Sequence, residues 1–147
     1  MLAIGSDHGG FALKKAIERY LDQRDVAYQD FGCPDETSVD YPPIAAAVAH
    51  SIADGKCERG ILCCGTGIGM SMVANKVKGV RAAACSEKFS TEMTRRHNNC
   101  NCLCLGGRVL SEEQAVELVR IYLDTPFEGG RHQRRLDMMT KVENGEL

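Results

Sequence analysis

The chain has 147 residues, of which 44% are hydrophobic and 26% are charged. This is the composition of a soluble globular protein, and the length fits a single domain covering residues 1–147. A formal net charge of −2 gives no electrostatic attraction to nucleic acid or to an anionic membrane, so we expect neither as a partner.

Five short apolar runs predict β-strands, and helical patterns separate them. The predicted strands cover residues 2–5, 26–31, 60–64, 80–85 and 102–105. Periodic apolar residues predict helices from residue 11, over 45–52, 70–76 and 88–97, after 111 and in the 130s. Strands that alternate with helices form a parallel sheet with helices on both faces. The sequence therefore predicts an α/β protein, a three-layer α/β/α sandwich with a five-stranded parallel sheet.

The eight cysteines indicate reduced thiols rather than a disulfide framework. Most of them fall inside apolar runs, and the first residues carry no signal-peptide pattern, so we expect a cytoplasmic protein. Cys100, Cys102 and Cys104 alternate, which predicts that their side chains share one face of a strand. They lack the C-x2-C spacing of a structural zinc site, and we expect no metal there.

Chemically active residues follow several of the predicted strands. Asp7 and His8 come after the first strand, Cys64 ends the third, and Arg108 follows the fifth. In an open parallel sheet, ligands bind beyond the carboxyl ends of the strands. We therefore expect a carboxylate, an imidazole and a thiol to meet at this edge.

The segment 64–69 (Cys-Gly-Thr-Gly-Ile-Gly) is the most informative part of the chain. Alternating glycines allow a sharp turn whose N–H groups point inward, and such a turn before a helix favours a phosphate or an oxyanion. A cysteine beside it gains stabilisation of its thiolate and is a candidate nucleophile or general base. The alternative is a tight turn next to a buried thiol. Strand alternation predicts that Cys63 and Cys64 point to opposite faces.

Basic residues near the C-terminus allow two interpretations. Arg131 and Arg135 are four residues apart, so they lie on one face of the predicted last helix. A solvated charged stripe is the more common meaning of such a pattern. Paired guanidinium groups also bind phosphate well. His97 ends a helix, where an imidazolium is favoured without any functional role.

Taken together, the motifs resemble the type B ribose-5-phosphate isomerases. The resemblance extends over the whole chain in order, and it rests on the segments 5–10 (GSDHGG), 40–42 (DYP), 64–69 (CGTGIG), 74–76 (ANK), 81–82 (RA), 97–98 (HN) and 128–135 (EGGRHQRR). Each motif is modest alone, but their combination is specific.

The resemblance implies a Rossmann-like sandwich, a homodimer with active sites shared between subunits, possibly paired into a tetramer, and no metal or organic cofactor. It makes Cys64 the base and gives Asp7 and His97 the opening of the sugar ring. His8, Arg131 and Arg135 would hold the phosphate of a sugar-phosphate substrate. Further expected site residues are Tyr41, Gly65, Thr66, Gly67, Ile68, Gly69, Asn98 and Arg108.

Two other functions stay open at this point. The same mechanism could serve a hexose 6-phosphate, either allose or galactose 6-phosphate. Related proteins act on galactose 6-phosphate as paired subunits that each lack one motif, whereas this chain has both the cysteine loop and the RHQRR segment. A nucleotide-binding module is the second alternative, because Gly65, Gly67 and Gly69 approximate a dinucleotide fingerprint. However, Met70 breaks that pattern, and the loop follows the third strand rather than the first.

Overall fold

The computed structural model describes all 147 residues. Five strands alternate with six helices. The strands are β1 (Leu2–Ser6), β2 (Tyr28–Asp30), β3 (Arg59–Cys64), β4 (Ala82–Ala84) and β5 (Cys102–Gly106). The helices are α1 (Phe11–Gln23), α2 (Tyr41–Ala53), α3 (Ile68–Ala74), α4 (Lys88–Asn98), α5 (Glu112–Asp124) and α6 (Arg131–Glu143). The predicted elements are all present.

The sheet is parallel throughout, and its strand order is β2-β1-β3-β5-β4. After β1 the chain moves outward to β2 and then returns to place β3 on the other side of β1. The carboxyl ends of β1 and β3 therefore flank the point where the winding direction reverses, which is where open α/β sheets bind ligands. The predicted fold class is confirmed.

Each face of the sheet has its own apolar core. On one face, β1, β3 and β5 pack against α1 and α5, with Ile17, Leu103 and Tyr122 fully buried. On the other face, α2 and α3 cover the sheet, and Val48 and Met70 are buried there. The helix α4 lies beside α5, and α6 packs against α4 at the outside of the molecule.

Local signals explain several helix boundaries. Pro42 and Pro43 occupy the first turn of α2, where a missing N–H costs nothing. Ser111 caps α5 in a full capping box with Gln114. The Glu87 carboxylate accepts the N–H of Ser90 at 2.8 Å and so caps α4.

Two details differ from the sequence-based expectation. The edge strands β2 and β4 have three residues each, because an edge strand pairs on one side only and its ends separate from the neighbour. Cys100 also precedes β5 and packs in the core beside α5, whereas Cys102 and Cys104 face α2 and α3. All eight cysteines are free and buried. None of the helices has both the length and the apolarity that a membrane span requires.

Lys14 carries a buried charge that ties α1 to the end of β2. Its ammonium group is 1% exposed and donates to both oxygens of Asp30, at 3.0 and 2.9 Å, and to the carbonyl of Cys33. Burial of Asp30 raises its pKa, but the hydrogen bonds from Lys14 and the Gly32 N–H outweigh burial and leave the pKa lowered. The Asp30 carboxylate and the Cys33 carbonyl thus share the Lys14 ammonium group as a hydrogen-bond donor.

Replacing Lys14 with Met should lower the free energy of unfolding by about 1–3 kcal/mol, because it leaves the buried Cys33 carbonyl without its donor and removes the ion pair to the partly exposed Asp30 carboxylate. Urea unfolding near neutral pH measures this, with the exposed Lys141→Met as the control. Because the pKa of Asp30 is lowered in the folded state, the contribution is present above the unfolded-state value of about 4 and disappears as the pH falls through the folded-state pKa. An equal loss in both variants would contradict this role of Lys14.

Candidate active site

The loops after β1, β3 and β5 meet at the carboxyl edge of the sheet. A Cβ atom on Gly9 would lie 3.1 Å from the amide nitrogen of Gly65, and one on Gly107 would lie 2.1 Å from the Gly9 carbonyl oxygen. The Gly107 N–H also donates to the carbonyl of Cys64 at 2.7 Å. The three loops can approach this closely only because glycine has no side chain at these positions.

Cys64 lies at the end of β3 with its thiol below the glycine loop. Its Sγ accepts the N–H of Gly67 at 3.1 Å, and the residue is 5% exposed. Cys63 points to the opposite face of the sheet, into the core with α1 and α5, as alternation predicts. Burial raises the pKa of the Cys63 thiol well above its usual value, so Cys63 stays protonated. Only the Cys64 thiol therefore faces the loop.

The glycine loop turns sharply at Gly67, which has a φ of +81°. The N–H of Ile68 donates to the Thr66 hydroxyl at 3.3 Å, and the exposed residue Thr66 stands at the rim. A Cβ atom on Gly69 would lie 2.7 Å from the Tyr41 ring, so this glycine lets the tyrosine pack directly on the loop. Without glycine at 67 and 69, the backbone could not hold this shape beside the thiol.

The other predicted residues of this edge surround the thiol loop. Asp7 is buried, and its Oδ1 accepts the N–H of Gly10 at 3.2 Å. His8 accepts the N–H of Val39 at its Nδ1, at 3.3 Å, which leaves Nε2 for a ligand. The Arg108 guanidinium lies over Gly65, 3.6 Å from a Cβ built there.

A second group of predicted residues lies at the opposite edge of the sheet. His97 and Asn98 end α4, and the carbonyl of Asn98 accepts the Nε–H of Arg81 at 3.0 Å, next to the start of β4. Arg131 and Arg135 are exposed on the first turns of α6. The helix α4 starts after the carboxyl end of β4 and runs back along the sheet for 11 residues, a length of about 16 Å, so this group lies toward the amino ends of the strands. One chain therefore does not bring His97 to Cys64.

Glu128 and His132 join His97 in this second group. The rings of His97 and His132 are stacked, with centroids 4.2 Å apart and planes inclined by 11°. Glu128 lies 3.8 Å from His97 Nε2 and 3.5 Å from His132 Nε2. Burial, followed by the charges of His97 and Arg131, lowers the pKa of His132. Both residues lie in the sequence motif 128–135, but neither was predicted to belong to the site. Their spacing of four residues was the available signal.

The surface cavities, like the predicted site residues, fall into two separate places. The largest, about 470 Å³, lies at the second group and is lined by Arg81, Asn98 and Met139 among others. A smaller cavity of about 200 Å³ lies beside the glycine loop, between Thr66, Ser86 and Val109. Neither cavity includes residues of both groups. The side chains of Ile68 and Met72 on α3, and of Val142 on α6, are more than half exposed although they are apolar.

The fold is that of an open α/β protein, with a glycine-rich turn and a thiol at the end of the sheet where such proteins bind ligands. The family model described as Ribose/Galactose Isomerase matches residues 2–139. This chain belongs to that family, and its members are isomerases.

Three similar proteins show the range within the family. Ribose-5-phosphate isomerase B of Escherichia coli is 44% identical over 142 residues, covering 97% of this chain and 95% of that protein. D-erythrulose-4-phosphate isomerase of Pectobacterium atrosepticum is 42% identical over 146 residues, covering 99% and 96%. The solved structure of ribose-5-phosphate isomerase B from Mycoplasma genitalium, with bound ribulose-5-phosphate, superposes with a TM-score of 0.93 at 39% identity, covering 97% and 95%.

Proposed function

We propose that this chain interconverts ribose 5-phosphate and ribulose 5-phosphate, with Cys64 as the general base. The observation that carries the proposal is the Cys64 thiol at the carboxyl end of β3, whose sulfur accepts the N–H of Gly67 at 3.1 Å. That hydrogen bond holds the sulfur against the glycine loop, beside which the bound sugar would lie. The relatives named for this reaction support the choice of substrate.

The reaction begins with the closed sugar. Asp7 and His97 move a proton from the anomeric hydroxyl to the ring oxygen, which opens the furanose. The Cys64 thiolate then takes the proton from C2; the C2–H electron pair forms the C1–C2 double bond, and the carbonyl pair moves to O1 to give an enediolate. The proton of the C2 hydroxyl passes to O1, and Cys64 returns its proton to C1 as the C2 carbonyl forms, which completes the ketose. Each step transfers a proton between named groups, so the proposed mechanism needs no metal and no organic cofactor.

The glycine loop would stabilise the negative charge that forms on the enediolate oxygen. The enediolate oxygen would lie against the N–H groups of residues 65–70 and the hydroxyl of Thr66, at the exposed rim. Such donors are already oriented before the reaction, so they stabilise the developing charge without reorganisation. Two side chains would confine the sugar at the loop. They are Tyr41, which packs on Gly69, and Arg108, which lies over Gly65.

The complete site requires two copies of the chain. His97, Asn98, Arg131 and Arg135 stand at the opposite edge from Cys64, so a second subunit would bring its own set to the carboxyl edge of the first. Exposed apolar side chains on α3 and α6 offer surface for such a contact. We propose a homodimer in which each of two equivalent sites combines the thiol loop of one subunit with the basic group of the other.

The test is turnover of ribose 5-phosphate by purified protein in the presence of a chelator, with formation of the ketose followed over time. Allose 6-phosphate and D-erythrulose 4-phosphate are run beside it, because the relatives differ in the substrate they are named for. Conversion of the pentose in chelator supports the proposal. Turnover of the hexose or the tetrose alone would keep the mechanism and change the substrate, and no turnover of any would overturn it.

Replacing Arg135 with Gln should raise KM for ribose 5-phosphate by about 10–100-fold, since a hydrogen bond to a charged group contributes roughly 1.5–3 kcal/mol. The value of kcat should change much less, because the contact to the phosphate stabilises the bound substrate and the transition state equally. Initial rates over a range of substrate concentrations measure both constants. Arg134→Gln, on the same turn of α6, is the matched control. A KM raised equally in both variants would contradict a specific phosphate contact.

A further inference from the structure

Three side chains that can each bind a metal meet where α4 ends and α6 begins. They are His97, Glu128 and His132, and their ligand atoms all lie within 4.8 Å of one another. The two imidazole Nε2 atoms approach the same carboxylate oxygen, Oε1 of Glu128, at 3.8 and 3.5 Å. No other cluster of three potential metal ligands occurs in the chain.

We propose that this cluster binds one transition-metal ion of the zinc class, through Nε2 of His97, Nε2 of His132 and Oε1 of Glu128. Zinc takes imidazole nitrogen and carboxylate oxygen at about 2.0–2.2 Å, which at a tetrahedral angle separates the ligand atoms by roughly 3.3 Å. The nitrogen-to-oxygen separations exceed this by a few tenths of an ångström. The two Nε2 atoms lie within 4.8 Å of each other and the stacked rings are nearly parallel, so binding requires both imidazoles to rotate until their lone pairs converge on the ion.

The surroundings of Glu128 hold its carboxylate in the required orientation. Its second oxygen, Oε2, lies 3.7 Å from a guanidinium nitrogen of Arg96, and its backbone N–H donates to the Arg96 carbonyl at 3.0 Å. The carboxylate thus turns Oε1 toward the imidazoles. An outer contact that orients a ligating carboxylate is a regular part of protein metal sites.

The exposure of the three residues fits an exchangeable ion. His132 is largely buried, whereas the side chains of His97 and Glu128 are 38% and 42% exposed. An ion could enter from solvent and keep water in the fourth position, as three-ligand zinc sites do. Two imidazoles and one carboxylate favour Zn²⁺, Co²⁺, Ni²⁺ or Cu²⁺ over Mg²⁺ and Ca²⁺, which prefer oxygen ligands.

Binding has a consequence that rests on the proposed function. A metal on Nε2 of His97 would block that nitrogen, so the imidazole could no longer use both ring nitrogens to accept and donate a proton during ring opening. Zinc-class ions would therefore inhibit the isomerase reversibly, although the reaction itself uses no metal.

The test is calorimetric titration of the purified, chelator-treated protein with ZnCl2, supported by visible spectra with CoCl2. We expect one ion per chain. Glu128→Gln and His132→Gln should each weaken binding by more than the roughly 10–100-fold caused by loss of an outer contact. His50→Gln removes an exposed histidine of α2 and should bind as the unmodified chain does. Circular dichroism of each variant checks that it is folded.

The possible results distinguish metal binding by the cluster from inhibition of the isomerase by the bound metal. Unchanged zinc affinity in both Glu128→Gln and His132→Gln would overturn the site, as would a strong cobalt–thiolate charge-transfer band, since it would place the ion on cysteine. Zinc inhibition that a chelator reverses, and that His132→Gln weakens in parallel with binding, supports the whole inference. One bound zinc with unchanged turnover would support the site and count against the role of His97 in the proposed reaction.

Discussion

Cys64→Ala should lower kcat for ribose 5-phosphate by about 10²–10⁴-fold, because it removes the proposed general base and leaves the rest of the site in place. The substitution also leaves the N–H of the buried Gly67 without its sulfur acceptor, so a moderate loss of stability should accompany it, but the residues proposed to hold the phosphate are untouched. Substrate should therefore still bind. Initial-rate kinetics measure the loss of turnover, and calorimetric titration with ribose 5-phosphate measures the retained binding.

Cys63→Ala is the matched control for this prediction. The same atom is removed one residue earlier on β3, but its thiol is fully buried on the opposite face, and burial raises its pKa. Turnover by this variant should stay close to that of the unmodified chain, with at most a moderate loss of stability. If both variants lost turnover alike, the effect would be one of packing, and Cys64 would not be the base.

The fold was predictable because its strongest signals are local. The apolar runs of β1, β3 and β5 are buried on both faces, which is why they read as continuous hydrophobic segments. The edge strands β2 and β4 carry a weaker signal, and each was predicted to start two residues too early and to end one residue too late. The order of the strands depends on which helices pack on the same face of the sheet. No single segment of the sequence determines that arrangement.

The site was predictable where the topology alone places it. Asp7 follows β1 and Cys64 is the last residue of β3, so the rule for parallel sheets brings them together at the carboxyl ends of the strands. His97 and Arg131 lie at the end of one helix and the start of another, and the direction of α4 carries them to the other edge. Glu128 could not be singled out from the sequence, where it is one exposed carboxylate in a connecting loop. Only its distances to the imidazoles of His97 and His132 indicate a possible role.

A mixture of two inactive variants should recover activity if the site is shared between subunits. Cys64→Ala removes the base from one edge, and His97→Asn removes the imidazole from the other. Random reassortment makes half of the dimers mixed, and each mixed dimer has one site with both native side chains, so the mixture should reach about one quarter of the unmodified activity. Each variant alone should retain about 1% or less. Refolding or co-expressing the two chains and measuring kcat gives the result.

The control for recovery combines two changes at the same edge. Asp7 and Cys64 follow neighbouring strands of one chain, so Asp7→Asn mixed with Cys64→Ala leaves every site with one defect and should recover nothing. Recovery in this pair as well would mean that the chains exchange whole segments rather than share sites. No recovery in either pair, with both single variants inactive, would contradict a site shared between subunits. Only recovery confined to the first pair requires the second subunit's imidazole at the first subunit's thiol.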